Sequence, residues 1–116
     1  MRPPSELRVS KDRRLLTVIF SNHAPIPLEA EMLRVLSPSA EVQGHSAEQR
    51  VTVPGKRNVA ISRMEPVGNY AVRIVFDDGH DTGIFTWDYL HTLGHDKDAL
   101  FGAYLEELGV KGLSRD

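Results

Sequence analysis

The chain has 116 residues, 41% hydrophobic and 26% charged, and its 14 basic and 16 acidic residues give a formal charge of −2. That balance offers no basic footprint for nucleic acid or an anionic membrane. With no cysteine present, disulfides, thiolate catalysis and thiolate metal sites are excluded for the chain acting alone. The length suits one domain with its own core. No apolar run approaches the roughly 18 residues of a membrane span, and the start MRPPSELRV lacks a signal-type apolar segment, so a cytosolic protein is expected.

Leu7–Ser10 and Arg14–Phe20 read as a first pair of strands around Lys11-Asp12-Arg13. The second is β-branched and apolar with little polar alternation, which places it inside a sheet. Ser21–Pro27 is a connector in which Pro25 and Pro27 break any ladder. In Leu28–Leu36 the residues Leu28, Met32, Leu33, Val35 and Leu36 recur at near-helical spacing. Glu29 and Glu31 lie early and Arg34 late, as a helix dipole favours, so a short helix is predicted. Ser37–Lys56 is rich in Ser, Gln, Gly and Pro. A structureless connection of that length is uncommon in a compact domain and is usually functional or mobile; Val51 and Val53 could add a brief extended piece. Asn58–Met64 alternates as a strand, and Pro66–Asn69 turns the chain.

The most informative stretch is Tyr70–Gly94. Asp78-Gly79 suits a two-residue hairpin turn with positive φ at both central residues. Such a turn pairs Asp77 with His80, Val75 with Thr82 and Arg73 with Ile84. It leaves Tyr70, Val72, Ile74, Phe76 and Phe85 on a core face and sets His80 on the mixed face opposite. Thr86 is the expected N-cap of a short helix through Trp87, Tyr89 and Leu90, stopped by Gly94. Asp96 or His95 then caps a last helix with Leu100, Phe101, Tyr104, Leu105 and Leu108 as its stripe and Gly109 as its end. The tail Val110–Asp116 is expected to fray. The sum is an α+β domain: a small, mostly antiparallel β-sheet of about four to six strands with a C-terminal helix and short helical turns.

None of the five histidines, His23, His45, His80, His91 and His95, falls in a tight metal-ligand spacing. His91 and His95 are four apart, but Gly94 between them favours surface residues flanking a cap. Asp77, Asp78 and Asp81 surround His80, a grouping that could hold a divalent cation or tune an imidazole. The plainer reading is that the turn needs Asp and Gly and leaves His80 exposed. Ser21 near His23 and His45 before Ser46 lack a nucleophile elbow or an orienting third group, and no phosphate-binding glycine pattern occurs. Trp87, Tyr89 and Tyr104 read as core rather than as a stacking platform.

The stretches Leu33–His45 (LRVLSPSAEVQGH), Gly55–Ile61 (GKRNVAI) and Val67–Gly94 (VGNYAVRIVFDDGHDTGIFTWDYLHTLG) resemble the bacterial DUF971 proteins. These share their fold with the N-terminal domain of gamma-butyrobetaine and trimethyllysine hydroxylases. The likeness runs from about Leu7 to Leu108 within a single domain spanning 1–116. It implies a domain without the Fe(II)/2-oxoglutarate chemistry, which in those hydroxylases belongs to a separate C-terminal domain. It also implies a structural zinc position, with Ser37, Ser39 and Val42 standing where the family has thiolates and His80 matching its histidine. Related domains fused to Mrp-type ATPases imply a helper role in metal or iron–sulfur cluster handling for some members.

The expected function is therefore a non-catalytic accessory or protein-interaction domain with a degenerate zinc site. Its surface would comprise Ser37, Ser39, Glu41, Gln43, His45, Asp77, Asp78, His80 and Asp81. The alternative is a metal-binding helper, with His80 and one or more of His45, Glu41, Asp77 and Asp81 as ligands to iron or zinc; otherwise no cofactor is expected. Because the small domain supports dimer assembly in the hydroxylases, the resemblance also leaves a homodimer open. An enzyme acting alone ranks last, since no acid–base or nucleophile constellation stands out.

Overall fold

Among the described residues, six strands form two three-stranded antiparallel sheets, and helices pack around them in the α+β arrangement expected. The computed structural model describes residues 2–116. β1 (Glu6–Val9), β2 (Leu15–Ile19) and β3 (Ile26–Glu29) make the first sheet, with β2 central; β4 (Ile61–Val67), β5 (Ala71–Phe76) and β6 (Gly83–Thr86) make the second, with β5 central. The helices are α1 (Ala30–Val35), the single turn α2 (Ala40–Gln43), α3 (Trp87–His95) and α4 (Lys97–Val110), with a 3-10 turn at Ala47–Gln49. No helix among the described residues is long and apolar enough to cross a membrane.

One core joins the sheets. Leu16, Val18 and Leu28 from the first meet Ile61, Val72, Ile74, Phe76 and Phe85 from the second, with Met32 and Leu33 of α1, Leu90 and Leu93 of α3, and Tyr104 and Leu108 of α4. Burying each large apolar side chain stabilises the fold by about 1.5–3 kcal/mol. Trp87 and Tyr104 are buried in this core and Tyr89 packs against it, so these rings are structural. The sheets are also tied through Arg13, whose backbone oxygen accepts from Ile61 N at 2.8 Å and whose guanidinium donates to the oxygens of Ile61 and Ser62 at 2.7 and 2.6 Å.

Several boundaries differ from the sequence reading. The helix expected over Leu28–Leu36 is divided: Ile26–Glu29 is strand and only Ala30–Val35 is helix. Pro27 does not break the ladder but sits opposite Thr17, because β3 is an edge strand and an edge tolerates a missing N–H. Pro66 likewise lies within the edge strand β4, which begins and ends three residues later than expected. The turn follows at residues 68–70, where Gly68 has φ 52°. Tyr70 therefore precedes the strand and is 56% exposed, not core.

Gly94 does not stop α3, which runs to His95. A Cβ at Gly94 would lie 2.3 Å from Ile26 Cγ2, so the glycine permits close approach of helix to strand. Thr86 caps α3 as expected, accepting from Tyr89 N at 3.1 Å. In α4, Leu105 leaves the expected stripe and is 41% exposed. The helix passes Gly109 and ends at Val110, and just beyond it Gly112 has φ 65°, with Leu113 N bonding Leu108 O at 2.8 Å and Gly112 N bonding Gly109 O at 3.2 Å. The tail beyond is not frayed. Gly55 N donates to Ser114 O at 2.9 Å and Arg57 N to Arg115 O at 3.0 Å.

The connection Ser37–Lys56 is anchored as well as partly helical. Val51 N bonds Val42 O at 2.7 Å, and Val53 O accepts from Tyr104 Oη at 2.5 Å. Thr52 accepts from Lys111 Nζ at 2.7 Å, and Arg50 pairs with Glu107. Val51 and Val53 add no strand.

Candidate functional site

Asp78-Gly79 does not form the two-residue turn. Gly79 N bonds Phe76 O at 3.1 Å and Phe76 N bonds His80 O at 3.0 Å, the bond pair of a three-residue loop with a bulge. Only Gly79 in this loop has positive φ, 92°. Arg73 faces Ile84 as expected, but the ladder closes at Ile74 opposite Gly83, short of a Val75–Thr82 pair, and Asp77 does not pair with His80. The extra loop residue reverses the side on which His80 emerges. Expected at the exposed turn on the mixed face, His80 is 5% exposed, and its ring lies 6.0 Å from that of Phe76.

Across from His80 the chain leaves α1 and enters α2 through Ser37-Pro38-Ser39. Ser39 is the N-cap of α2, accepting from Glu41 N at 3.2 Å, and its hydroxyl meets that of Thr82 at 2.7 Å. Ser37 Oγ lies 2.9 Å from His80 Nε2 and accepts from Ser39 N at 3.3 Å, while Ser37 O accepts from Gln43 Nε2 at 2.9 Å. Gly83 makes this approach feasible, since a Cβ there would stand 2.6 Å from Ser37 Oγ. Ser37 and Ser39 are buried, as is Val42.

The other His80 nitrogen, Nδ1, lies 3.2 Å from Glu41 Oε2. Burial and then the charge of Arg34 lower the His80 pKa, outweighing the opposite pull of Glu41 and Asp78. A neutral imidazole has one donor and one acceptor. Glu41 can only accept, so the proton belongs on Nδ1 and Nε2 accepts from the Ser37 hydroxyl. Asp78 secures the loop from below: Oδ1 accepts from His80 N at 3.0 Å, and Oδ2 meets Arg34 Nε and Lys56 Nζ at 2.7 Å each. Burial alone would raise the Asp78 pKa, but Lys56, the His80 amide and Arg34 together hold it down at about 2. Asp77 accepts from Ala60 N at 3.1 Å. Among the described residues, Arg34 Nη1 is a buried nitrogen with no partner.

Ser37, His80 and Glu41 thus have the connectivity of nucleophile, base and orienting carboxylate. They lack access. Ser37 is 0% exposed, so its hydroxyl is closed to a substrate approaching from solvent. The donors do not fit a zinc ion either. His80 Nε2 is taken by Ser37, Ser39 is taken by Thr82, and Val42 has no donor atom, whereas structural zinc uses four thiolate or imidazole ligands. Of the proposed alternative ligands only Glu41 reaches His80. No cluster of three or more His, Asp or Glu able to hold a metal occurs among the described residues.

The two segments named from the sequence are therefore in contact, but Ser37, Ser39 and His80 lie beneath the surface instead of on it. Glu41, His45, Asp77 and Asp81 are exposed, and Gln43 is half-buried. Arg34, Lys56, Thr82 and Gly83 complete the cluster, and nothing in the sequence marks them as site residues. His91 packs edge-on against His23 and Phe20, with ring centres 5.8 and 6.0 Å apart, and His95 bonds Asp96.

No curated protein matches the chain. Two solution structures determined by NMR are similar to it: one is 49% identical over 100% of this chain and 91% of its own, with TM-score 0.85. The other is 43% identical over 99% and 86%, with TM-score 0.84. A crystal structure of a DUF971-family protein of unknown function from Acidithiobacillus ferrooxidans is 38% identical over 78% of this chain and 91% of its own, with TM-score 0.64. The profile of the "Gamma-butyrobetaine hydroxylase-like, N-terminal" family matches residues 7–91. The chain belongs to this gamma-butyrobetaine hydroxylase-like N-terminal domain family.

Proposed function

We propose that the chain is a non-catalytic interaction domain that docks a partner protein through the exposed rim of the α2–hairpin cluster. One observation carries this reading. The cluster's inner polar groups bind one another, and what they leave to solvent is acidic. Ser37, Ser39, His80 and Asp78 are engaged within the chain, and Arg34 and Lys56 share the one carboxylate of Asp78. The Glu41 side chain on α2 is 62% exposed, and Asp77 and Asp81 on the hairpin loop are exposed as well. A rigid base with a carboxylate rim suits a partner surface bearing Lys or Arg, attracted by complementary charge.

The test is cross-linking of the full-length chain in its native cells, followed by mass spectrometric mapping of the cross-linked residues. Cross-links from a basic partner that flank Glu41 and Asp81 support the reading. Cross-links confined to other faces, or turnover of a substrate by the purified chain, refute it.

A further inference from the structure

The C-terminal segment docks on the domain much as a bound peptide would. Its backbone pairs with Gly55 and Arg57. Arg115 presents a two-pronged guanidinium to Glu31, with Nε 2.7 Å from Oε2 and Nη2 2.6 Å from Oε1, the geometry in which arginine reads a carboxylate. The same guanidinium lies 5.5 Å from the centre of the Phe101 ring, within cation–π range. Asp116 Oδ1 accepts from Arg57 Nε at 2.6 Å, so the recognition is reciprocal in charge.

We infer that this groove, formed by Gly55–Arg57, Glu31 of α1 and Phe101 of α4, is a docking site for an extended partner peptide carrying arginine followed by an acidic residue. Ser114–Asp116 is its resident occupant. Main-chain bonds along an extended segment with a pocket for one side chain are how such peptides are held. Glu31 is 7% exposed and buried at the start of α1, so it requires a cationic partner but does not require that partner to be in the same chain. The occupant is loosely covered: the side chains of Arg115 and Asp116 are 30% and 73% exposed. Arg115 also walls a cavity of about 550 Å³ with Met32, Val59 and Phe101.

The test is an NMR titration of the full-length chain with the peptide acetyl-Gly-Leu-Ser-Arg-Asp-amide and a control in which citrulline replaces arginine. Full-length Arg115→Ala should bind the arginine peptide saturably, with shifts at Glu31, Gly55, Arg57 and Phe101. The wild-type chain should bind it at least about 10-fold more weakly, because a tethered tail competes at roughly millimolar effective concentration. The citrulline peptide should not bind either chain. Equal binding of both peptides, or no saturable shift in the folded variant, overturns the inference. Should Arg115→Ala not fold, the wild-type chain decides: excess arginine peptide must move the Ser114–Asp116 signals toward their undocked positions, and unmoved signals overturn it. Concentration-dependent dimerisation of the wild-type chain without a peptide response would assign the groove to a second copy and overturn the partner-peptide assignment.

Discussion

Gly83→Ala tests the geometry on which the candidate site is built. The new Cβ would stand 2.6 Å from Ser37 Oγ and 3.0 Å from Phe85 Cε1. The first separation is too short for any real contact, so Ser37 must move and lose its bond to His80. Overpacking of this kind costs about 1–3 kcal/mol, and a lost buried hydrogen bond adds roughly 1 kcal/mol. Removing glycine from the unfolded chain returns about 0.4–1 kcal/mol. The expected net loss is therefore about 1–3.6 kcal/mol, an apparent Tm lower by roughly 4–18 °C for a domain of this size. Urea unfolding followed by circular dichroism measures it. Ser37→Ala deletes the atom that clashes, so in a double-mutant cycle Gly83→Ala should cost at least about 1 kcal/mol less in that background. A neutral Gly83→Ala, or an equal cost in both backgrounds, refutes the packing described.

Two pH predictions follow from the same cluster. The folded-state pKa of His80 lies below its ordinary 6.5, chiefly through burial; the unfolded chain therefore binds the proton more readily. This contribution to stability is full above pH 6.5 and declines as pH falls below it. Unfolding free energies at pH 7.5 and about 5.5 should diverge more for the wild type than for His80→Gln, and parallel curves would contradict the buried neutral imidazole. Asp78, held down at about 2 against an ordinary 3.8, stabilises the fold above pH 3.8 and loses that contribution as pH falls through about 2. Asp78→Asn should cost about 1 kcal/mol at neutral pH once solvent screening is allowed for, and acid titration of the variant should lack the Asp78 step in that window. Unchanged stability at both pH values would show that the Arg34 and Lys56 contacts contribute nothing.

The fold class was legible because apolar periodicity reports which faces must be buried. The strand pattern of Val72, Ile74, Phe76 and Phe85 needed no tertiary information, and neither did the cap at Thr86. Errors arose where tertiary position decides the local state. Pro27 reads as a breaker and Pro66 as the start of a turn, but both lie on edge strands, where a missing N–H carries no penalty. Gly94 reads as a stop but is selected by the approach of Ile26. The candidate site was half legible. The resemblance brought Ser37, Ser39, Val42 and His80 together, and the structure places Ser37 against His80. What sequence could not show was the inserted bulge residue that turns His80 inward, because Asp-Gly is compatible with both the two-residue and the three-residue loop. Nor does spacing reveal that Arg115 reaches Glu31, 84 positions away.

The central claim is that the acidic rim is a protein-docking surface. Its most direct measurement is the calorimetric Kd of the full-length chain for the partner identified by cross-linking, compared with Glu41→Lys/Asp81→Lys and with the control Lys11→Glu in the β1–β2 turn. The account predicts binding at least about 10-fold weaker for the rim variant, with native circular dichroism retained and the control unchanged. Equal affinity of all three chains would contradict it.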